Sequence, residues 1–434
     1  MVDYTSHPSK GRNGGIIVTM SVMNMSGLQG QARAAVPTVV VIGGGATGTG
    51  IASEASRRGF RVILVERGTL GCGTSSHFHG ILHSGGRYAV NDPATAAECY
   101  QENQLLRVHI PSAITNTGGL FVALTDDEAH HADKWLLACA KAGIPTEELT
   151  PAEALRREPQ LNPALKRAFT VPDAFISGAE VIRLNRLAAL NAPVPARFLI
   201  HHTVSGMQRT GGRITGVIVR DSRTRQASLI NCDYVINAAG VWAGRVAALA
   251  DVRLHMVFDK GTMITFRQEL TRAVINRCRP EADGDLLVPS GHGSIMGTTA
   301  RVISDPDACQ PTQEEADTLI REGSAMVPAL AQAEATYIYA GVRPLFKASD
   351  DVTAPATAGA SGPAAAGSTR GISRSFRVLD HSDAGASNFI SVVGGKVTLY
   401  RKMAEAATDL LCTKNGLPVQ GKPSAAARLQ PVTR

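Results

Sequence analysis

The stretch Thr38–Gly68, TVVVIGGGATGTGIASEASRRGFRVILVERG, constrains this chain more than any other. Val39, Val40, Val41 and Ile42 form a β-branched run, the composition of a strand buried on both faces. Gly43, Gly45 and Gly48 follow at once in the spacing G-x-G-x-x-G. Ile51, Ala52 and Ala55 then recur at helical spacing through Ala46–Arg58, and Gly59 stands where a helix end favours a left-handed residue. Arg61–Val65 reads as a second strand closing on Glu66. The unit is a complete βαβ.

Each glycine answers a separate need: one turns the chain, one lets a pyrophosphate approach the backbone, one lets helix pack on strand. The helix N-terminus offers free N–H groups to the diphosphate. Glu66 stands 66 − 45 = 21 residues beyond the second glycine, where a carboxylate accepts from an adenosine ribose. No second unit of this kind occurs, which argues against a bound nicotinamide dinucleotide as redox partner.

At 434 residues the chain is long enough for two lobes. Its charge of +7 comes from scattered Lys and Arg rather than a stripe, which disfavours nucleic acid and suits a small anionic substrate or an acidic membrane surface. Seven cysteines, odd in number and without a C-x-x-C, disfavour a disulfide framework or a cysteine-held metal and fit a reducing cytoplasm. No run approaches the roughly 18 apolar residues of a membrane span, so the expectation is a cytoplasmic protein, soluble or peripheral on the inner face of the cell membrane. Residues 1–36 carry no signal-type apolar core and read as a leader or an early start.

Further along, Thr74 and Ser75 offer hydroxyls at the start of a short helix, a second place for phosphate oxygens. His77, His79 and His83 lack the acidic or cysteine partners of a metal site, and no metal is expected. A capping box, Thr150 with Glu153, opens a helix. Phe198–Ser205 and Ile214–Arg220 read as strands around Gly211 and Gly212. The buried strand Tyr234–Asn237 runs into Ala238, Ala239 and Gly240, small enough for a cofactor to lie on the backbone, with Trp242 nearby. Val257–Phe266, Asp285–Val288 and Ser294–Thr298 suggest a mixed sheet, and residues 352–369, almost wholly Ala, Gly, Pro, Ser and Thr, a surface loop. Phe389–Val393 ends in Gly394, Gly395 and Lys396, and Thr398–Thr413 reads as a last helix.

On VVVIGGGATGTGIA, HGILHSGGRYAV, NRCRPEADGDLLVP, AGVRPL, SRSFRVLDH and VVGGKVTLYRKMAE, in that order, the chain resembles the FAD-dependent glycerol-3-phosphate dehydrogenases over about Thr38–Cys412, most closely the catalytic chain of their anaerobic branch. The resemblance implies an α/β fold of the D-amino-acid-oxidase type, an FAD-binding Rossmann-like domain interleaved with a mixed-sheet substrate domain. The FAD domain would comprise 37–110, 178–250 and 370–415, the substrate domain 111–177 and 251–351, with 416–434 a tail. FAD would meet Gly43, Gly45 and Gly48 at its pyrophosphate, Glu66 at its ribose, and Thr74, Ser75, Val204, Ala239, Gly240 and Trp242 along its length. Gly394, Gly395, Lys396 and Val397 would lie under its isoalloxazine.

Arg87, Tyr88, Arg343, Arg374 and Lys396 match positions that surround the substrate phosphate in the family. A dianion wants forked and point cations, and each charge-assisted bond contributes roughly 1.5–3 kcal/mol. The implied reaction is oxidation of sn-glycerol 3-phosphate, or a related hydroxy-phosphate, to dihydroxyacetone phosphate. Where aerobic members have a histidine after K-G-S, this chain has Met263 after Lys260, Gly261 and Thr262, and the anaerobic branch likewise lacks histidine there. His83, Lys396 and Lys260 remain as candidate bases, beside Arg343 as a catalytic cation. The family's cysteine-bearing C-terminal region does not precede Arg434, so electrons are expected to pass to a partner subunit, quinone or oxygen. Two other readings stand beside this one: an amino-acid, amine or hydroxy-acid oxidase of the same superfamily, and a non-catalytic flavoprotein subunit.

Overall fold

The structure, a computed structural model, describes residues 36–346 and 374–419. The leader, the 352–369 loop and the tail beyond residue 419 lie outside the described residues.

The first strand, β1 (Thr38–Ile42), is the centre of a six-stranded sheet. Parallel neighbours are β2 (Arg61–Val65) on one side and Tyr234–Asn237 on the other, with Ile42 in register with both Val65 and Asn237. Arg197–Leu199 and Phe389–Gly394 extend the parallel array, and Phe376–Asp380 closes one edge antiparallel. Side chains alternate across a strand. Val39 and Val41 therefore pack on Ile51, Ala55 and Leu411 of the helices, whereas Val40 and Ile42 face the other way, in a cluster with Ile214, Val217 and Val219. That second layer is an antiparallel meander of His202–Thr210, Arg213–Asp221 and Ala227–Asn231. Burial on both faces is what the all-apolar run anticipates, at roughly 1.5–3 kcal/mol per enclosed side chain.

Helix α1 (Ala46–Arg57) follows β1 after three glycines, and no side chain caps its start. Gly59 ends it with φ +90. The expected strand 198–205 is two strands, because His201, at φ +59, breaks the chain between the parallel sheet and the meander. Gly211 and Gly212, at φ +56 and +75, make the meander's first turn. The last helix begins as a 3-10 turn, Val397–Leu399, and continues as Tyr400–Lys414.

The second large sheet has nine strands, drawn from 119–171 and 256–346. Its spine is the antiparallel pair Met256–Phe266 with Ala335–Phe346, in which Asp259 lies opposite Arg343 and Gly261 opposite Gly341. On one face Ile264 and Phe266 pack with Ala316, Leu319 and Met326 of the helix Gln313–Met326, whose N-terminus is a capping box of Thr312 and Glu315. The other face, through Gly261 and Met263, looks into the cavity described next. The box of Thr150 and Glu153 forms as the sequence suggests.

Candidate functional site

A cavity of about 520 Å³ runs from the C-terminal ends of β1 and β2, past Ala239 and Gly240, to the loop Gly394–Val397 and the strand pair of the second sheet. This is the position at which open α/β sheets take ligands. Gly43 turns the chain at φ +111, and a Cβ there would lie 2.5 Å from the Ala238 carbonyl oxygen. A Cβ on Gly45 would come 2.9 Å from Ser75 Oγ, so the missing side chain leaves the groove before α1 open. Gly48, expected beside the pyrophosphate, is not in the lining. Its Cβ would sit 1.9 Å from the Gly43 carbonyl oxygen, and its absence lets α1 close on the β1 turn.

Glu66 ends β2 with its carboxylate buried, accepting from the Gly44 N–H at 2.7 Å and the Gly68 N–H at 2.8 Å. Two backbone donors hold it at the cavity wall. Ser75 Oγ accepts from the Ala46 N–H at 3.0 Å, while Thr74 Oγ1 donates to the Val342 carbonyl at 2.8 Å, joining the 3-10 turn Thr74–Ser76 to the second sheet. Val204, Ala239, Gly240, Trp242, Gly394, Gly395, Lys396 and Val397 all line the cavity. The Arg67 guanidinium lies 3.8 Å over the Trp242 ring, whose Nε1 donates to Asp307 at 2.8 Å.

The opposite end is cationic. Arg343 donates from Nη1 to Asp259 Oδ2 at 3.0 Å and from Nη2 to Thr298 Oγ1 at 2.6 Å and the Thr299 carbonyl at 3.1 Å. Its guanidinium lies over Gly261, where a Cβ would come within 2.6 Å of Nη2. Arg374 Nη1 stands 3.6 Å from the same Asp259 oxygen. Lys396 Nζ donates to the Arg374 carbonyl at 3.1 Å and sits 4.2 Å over the Tyr88 ring. Burial, and then the neighbouring Arg374, hold Arg343 below the usual guanidinium range, and burial does the same to the Lys396 ammonium.

His79 and His83 stand edge-on with centroids 5.2 Å apart, and His83 meets Tyr88 at 5.3 Å. His79 Nδ1 accepts from the Ile81 N–H at 3.2 Å, which fits a neutral ring. Burial first, then Arg343, Arg87 and Arg374, push His79 down to about 3. His83 is driven well below its ordinary value by burial, His79, Lys396, Arg87 and Arg374. His77 is separate, its Nδ1 paired with the Gly73 carbonyl at 2.9 Å. Among the described residues no three His, Cys, Asp or Glu side chains are spaced to hold a metal ion.

Besides Gly48, two more expected site residues are elsewhere. Lys260 lies outside the lining, with Nζ 3.0 Å from Glu315 Oε2 and 2.8 Å from the Gln310 carbonyl. Strand alternation is the reason: Gly261 and Met263 face the cavity, so Lys260 and Thr262 face the helix behind, and Lys260 is removed as a candidate base. Arg87 is also outside the lining, 3.5 Å from Asp285, which Arg279 holds at 2.8 Å. Sequence reasoning missed Asp259 and Thr298; a period-2 reading of VFDKGTM would have placed Asp259 on the face of Gly261 and Met263.

The features fit FAD: an uncapped helix start behind a glycine cradle, a buried carboxylate at the cavity wall, and small residues along the cavity. The family model for FAD dependent oxidoreductase (DAO) matches residues 38–371. The chain is 39% identical over 381 residues to the A chain of the anaerobic glycerol-3-phosphate dehydrogenase of Escherichia coli K12, covering 87% of this chain and 67% of that one. It superposes on glycine oxidase from Geobacillus kaustophilus with a TM-score of 0.69 at 19% identity, covering 91% of this chain and 99% of that one. For the FAD complex of the glycerol-3-phosphate dehydrogenase from Bacillus halodurans the TM-score is 0.65 at 22% identity, with 91% and 68% covered. Both structural likenesses concern the fold. The chain belongs to the FAD dependent oxidoreductase family, in which it is similar to a subunit of the anaerobic glycerol-3-phosphate dehydrogenases.

Proposed function

We propose that this chain oxidises sn-glycerol 3-phosphate, or a closely related hydroxy-phosphate, to the corresponding ketone, dihydroxyacetone phosphate in the first case. The observation that carries the proposal is the meeting of Arg343, Arg374 and Lys396 at one end of the cavity, with Asp259 the carboxylate within ion-pair distance of the two arginines among the described residues. A dianionic phosphate satisfies such a set. A monoanionic carboxylate, as in an amino acid, leaves one more buried cation uncompensated, at a cost of several kcal/mol. The relatives named for glycerol 3-phosphate support the same substrate.

FAD, when bound, supplies a two-electron hydride acceptor. The protein's part is to hold the phosphate, orient the carbinol carbon and take the hydroxyl proton. We assign the last role to His83, which lines the cavity, is held neutral by burial and the surrounding cations, and so has a free lone pair. A bound dianion offsets those cations and makes the ring a better base at the moment it is needed. Arg343 and Lys396 stabilise the alkoxide as it develops.

The cofactor would rest on 37–110, 178–250 and the described part of 370–415, and the substrate would be closed in by 111–177 and 251–346. Electrons would leave to a partner subunit or quinone, a reading supported by the relatives' being named as one subunit of an enzyme. The charge of +7 supports contact with an acidic membrane surface, and among the described residues no helix is long and apolar enough to cross one. The test is turnover with an artificial electron acceptor: dihydroxyacetone phosphate should accumulate with glycerol 3-phosphate, not with glycerol, and Arg343→Ala should abolish it. Equal turnover with glycerol, or full activity in the variant, contradicts the proposal.

A further inference from the structure

Asp259 is fully buried on the second sheet, in the middle of the cationic end, and nothing in a phosphate-binding role calls for a carboxylate there. Its Oδ2 takes both Arg343, at 3.0 Å, and Arg374, at 3.6 Å, while Oδ1 has no partner among the described residues. The register sets it directly across from Arg343. Thr298 Oγ1, at 2.6 Å, and the Thr299 carbonyl, at 3.1 Å, take the other terminal nitrogen of the same guanidinium. Three of Arg343's five N–H donors are thus committed to the protein, and two are left for a ligand.

The charges sort into two groups. Arg87, Arg279 and Arg277 are matched by Asp285, Glu322 and Glu128 in one chain of ion pairs, which the exposed Arg321 joins at Glu322. Among the described residues Arg343, Arg374 and Lys396 have one carboxylate within ion-pair distance, Asp259, held by the two arginines, a local balance of 3 − 1 = +2, with Asp92 acting on Lys396 from farther off. Without Asp259, two guanidinium groups would repel each other in a site of low dielectric and neither would keep its angle. The carboxylate also lowers the potential that an entering anion feels.

We propose that Asp259 is a positioning residue that lines up Arg343 and Arg374 for the reacting substrate at the expense of anion affinity. The inference rests on the phosphate reading above. It makes a prediction that a merely structural role does not: alignment and affinity should part company when the charge is removed with the shape retained. In Asp259→Asn, inorganic phosphate should bind the FAD-loaded protein three- to tenfold more tightly, because the cavity gains a unit of positive potential. The limiting rate of flavin reduction by glycerol 3-phosphate should fall at least tenfold, because the guanidinium groups are no longer fixed.

Thr298→Val provides the second arm, since it releases Arg343 from its 2.6 Å partner without a change of charge. It should slow reduction without tightening phosphate. Both variants are measured by titration of the flavin spectrum with inorganic phosphate and by anaerobic stopped flow with glycerol 3-phosphate. Parallel weakening of phosphate and rate in Asp259→Asn overturns the proposal, as does a rate within twofold of the parent, or tighter phosphate in Thr298→Val. If Asp259→Asn does not retain FAD, slower reduction at unchanged or weaker phosphate binding in Thr298→Val supports the alignment and an unchanged rate overturns it. A parent that binds phosphate but is not reduced by glycerol 3-phosphate refutes the assigned reaction, and the phosphate arm then decides Asp259 separately. A parent that binds no phosphate refutes both.

Discussion

Replacing Lys396 with methionine should make the protein more stable and at the same time disable its site. The ammonium is enclosed beside Tyr88, with no carboxylate within ion-pair distance among the described residues. Methionine keeps the length and apolar stem. The variant forfeits two hydrogen bonds of the ammonium, to the Arg374 carbonyl at 3.1 Å and to Cys99, the first contributing about 1.5–3 kcal/mol. It also forfeits a desolvated cation–π contact at 4.2 Å, about 2 kcal/mol. Against these stands the desolvation of an unpaired ammonium, several kcal/mol. The ammonium binds its proton less readily than a free lysine despite these contacts, with burial the largest cause, so desolvation outweighs them and the variant should be the more stable of the two.

The pH dependence sharpens the prediction. Burial lowers Lys396 below its ordinary 10.5, so the unfolded chain binds that proton more readily than the folded one. The penalty is complete below the folded value and vanishes as pH rises through 10.5, so the variant's advantage should shrink in alkaline buffer. Affinity for glycerol 3-phosphate should drop by roughly 10- to 100-fold, the equivalent of one charge-assisted bond. Calorimetric melts at pH 7 and pH 10 with a flavin titration test it. A variant less stable than the parent by more than 1 kcal/mol at pH 7 refutes the reasoning, because the contacts of Lys396 would then outweigh its desolvation.

Gly48→Ala should yield protein without flavin and melting far lower, since its Cβ would meet the Gly43 carbonyl at 1.9 Å and α1 must shift, costing about 3 kcal/mol; absorbance at 450 nm and a melt are sufficient. Glu66→Gln should weaken FAD by roughly 10- to 100-fold, because an amide cannot accept from Gly44, Gly68 and a ribose together; the rise of flavin fluorescence on dilution reports it. His79 and His83 are buried neutral, with folded values below the ordinary 6.5, so the unfolded chain takes up their protons first. Stability should therefore fall as pH drops below 6.5 toward about 3, and His79→Gln should flatten that slope in urea melts at pH 7 and pH 5.

Local chemistry made much of this legible beforehand. The βαβ unit, the capping box at Thr150 and the buried strand before Ala238 follow from neighbours in sequence, and each appears where propensity puts it. The end of the cavity at the first sheet was legible for the same reason: Gly43, Glu66 and Gly394 stand at the C-terminal ends of three strands of one sheet. The cationic end was harder. Arg343, Arg374 and Lys396 come together from three separate segments, yet Arg87, in an equally promising glycine turn, is drawn away by Asp285 from 198 residues downstream. Lys260 and Asp259 exchanged importance because adjacent residues on a strand face opposite ways, and sequence alone left open which face was the cavity's. His201, a backbone break rather than a composition signal, divided what read as a single strand.

The most direct measurement is an anaerobic titration of the FAD-loaded protein with sn-glycerol 3-phosphate, following the flavin band, with glycerol and several amino acids in parallel. The account predicts bleaching by glycerol 3-phosphate alone, lost in Arg343→Ala. Bleaching by an amino acid, or a bound flavin that no phosphorylated alcohol reduces, would contradict it.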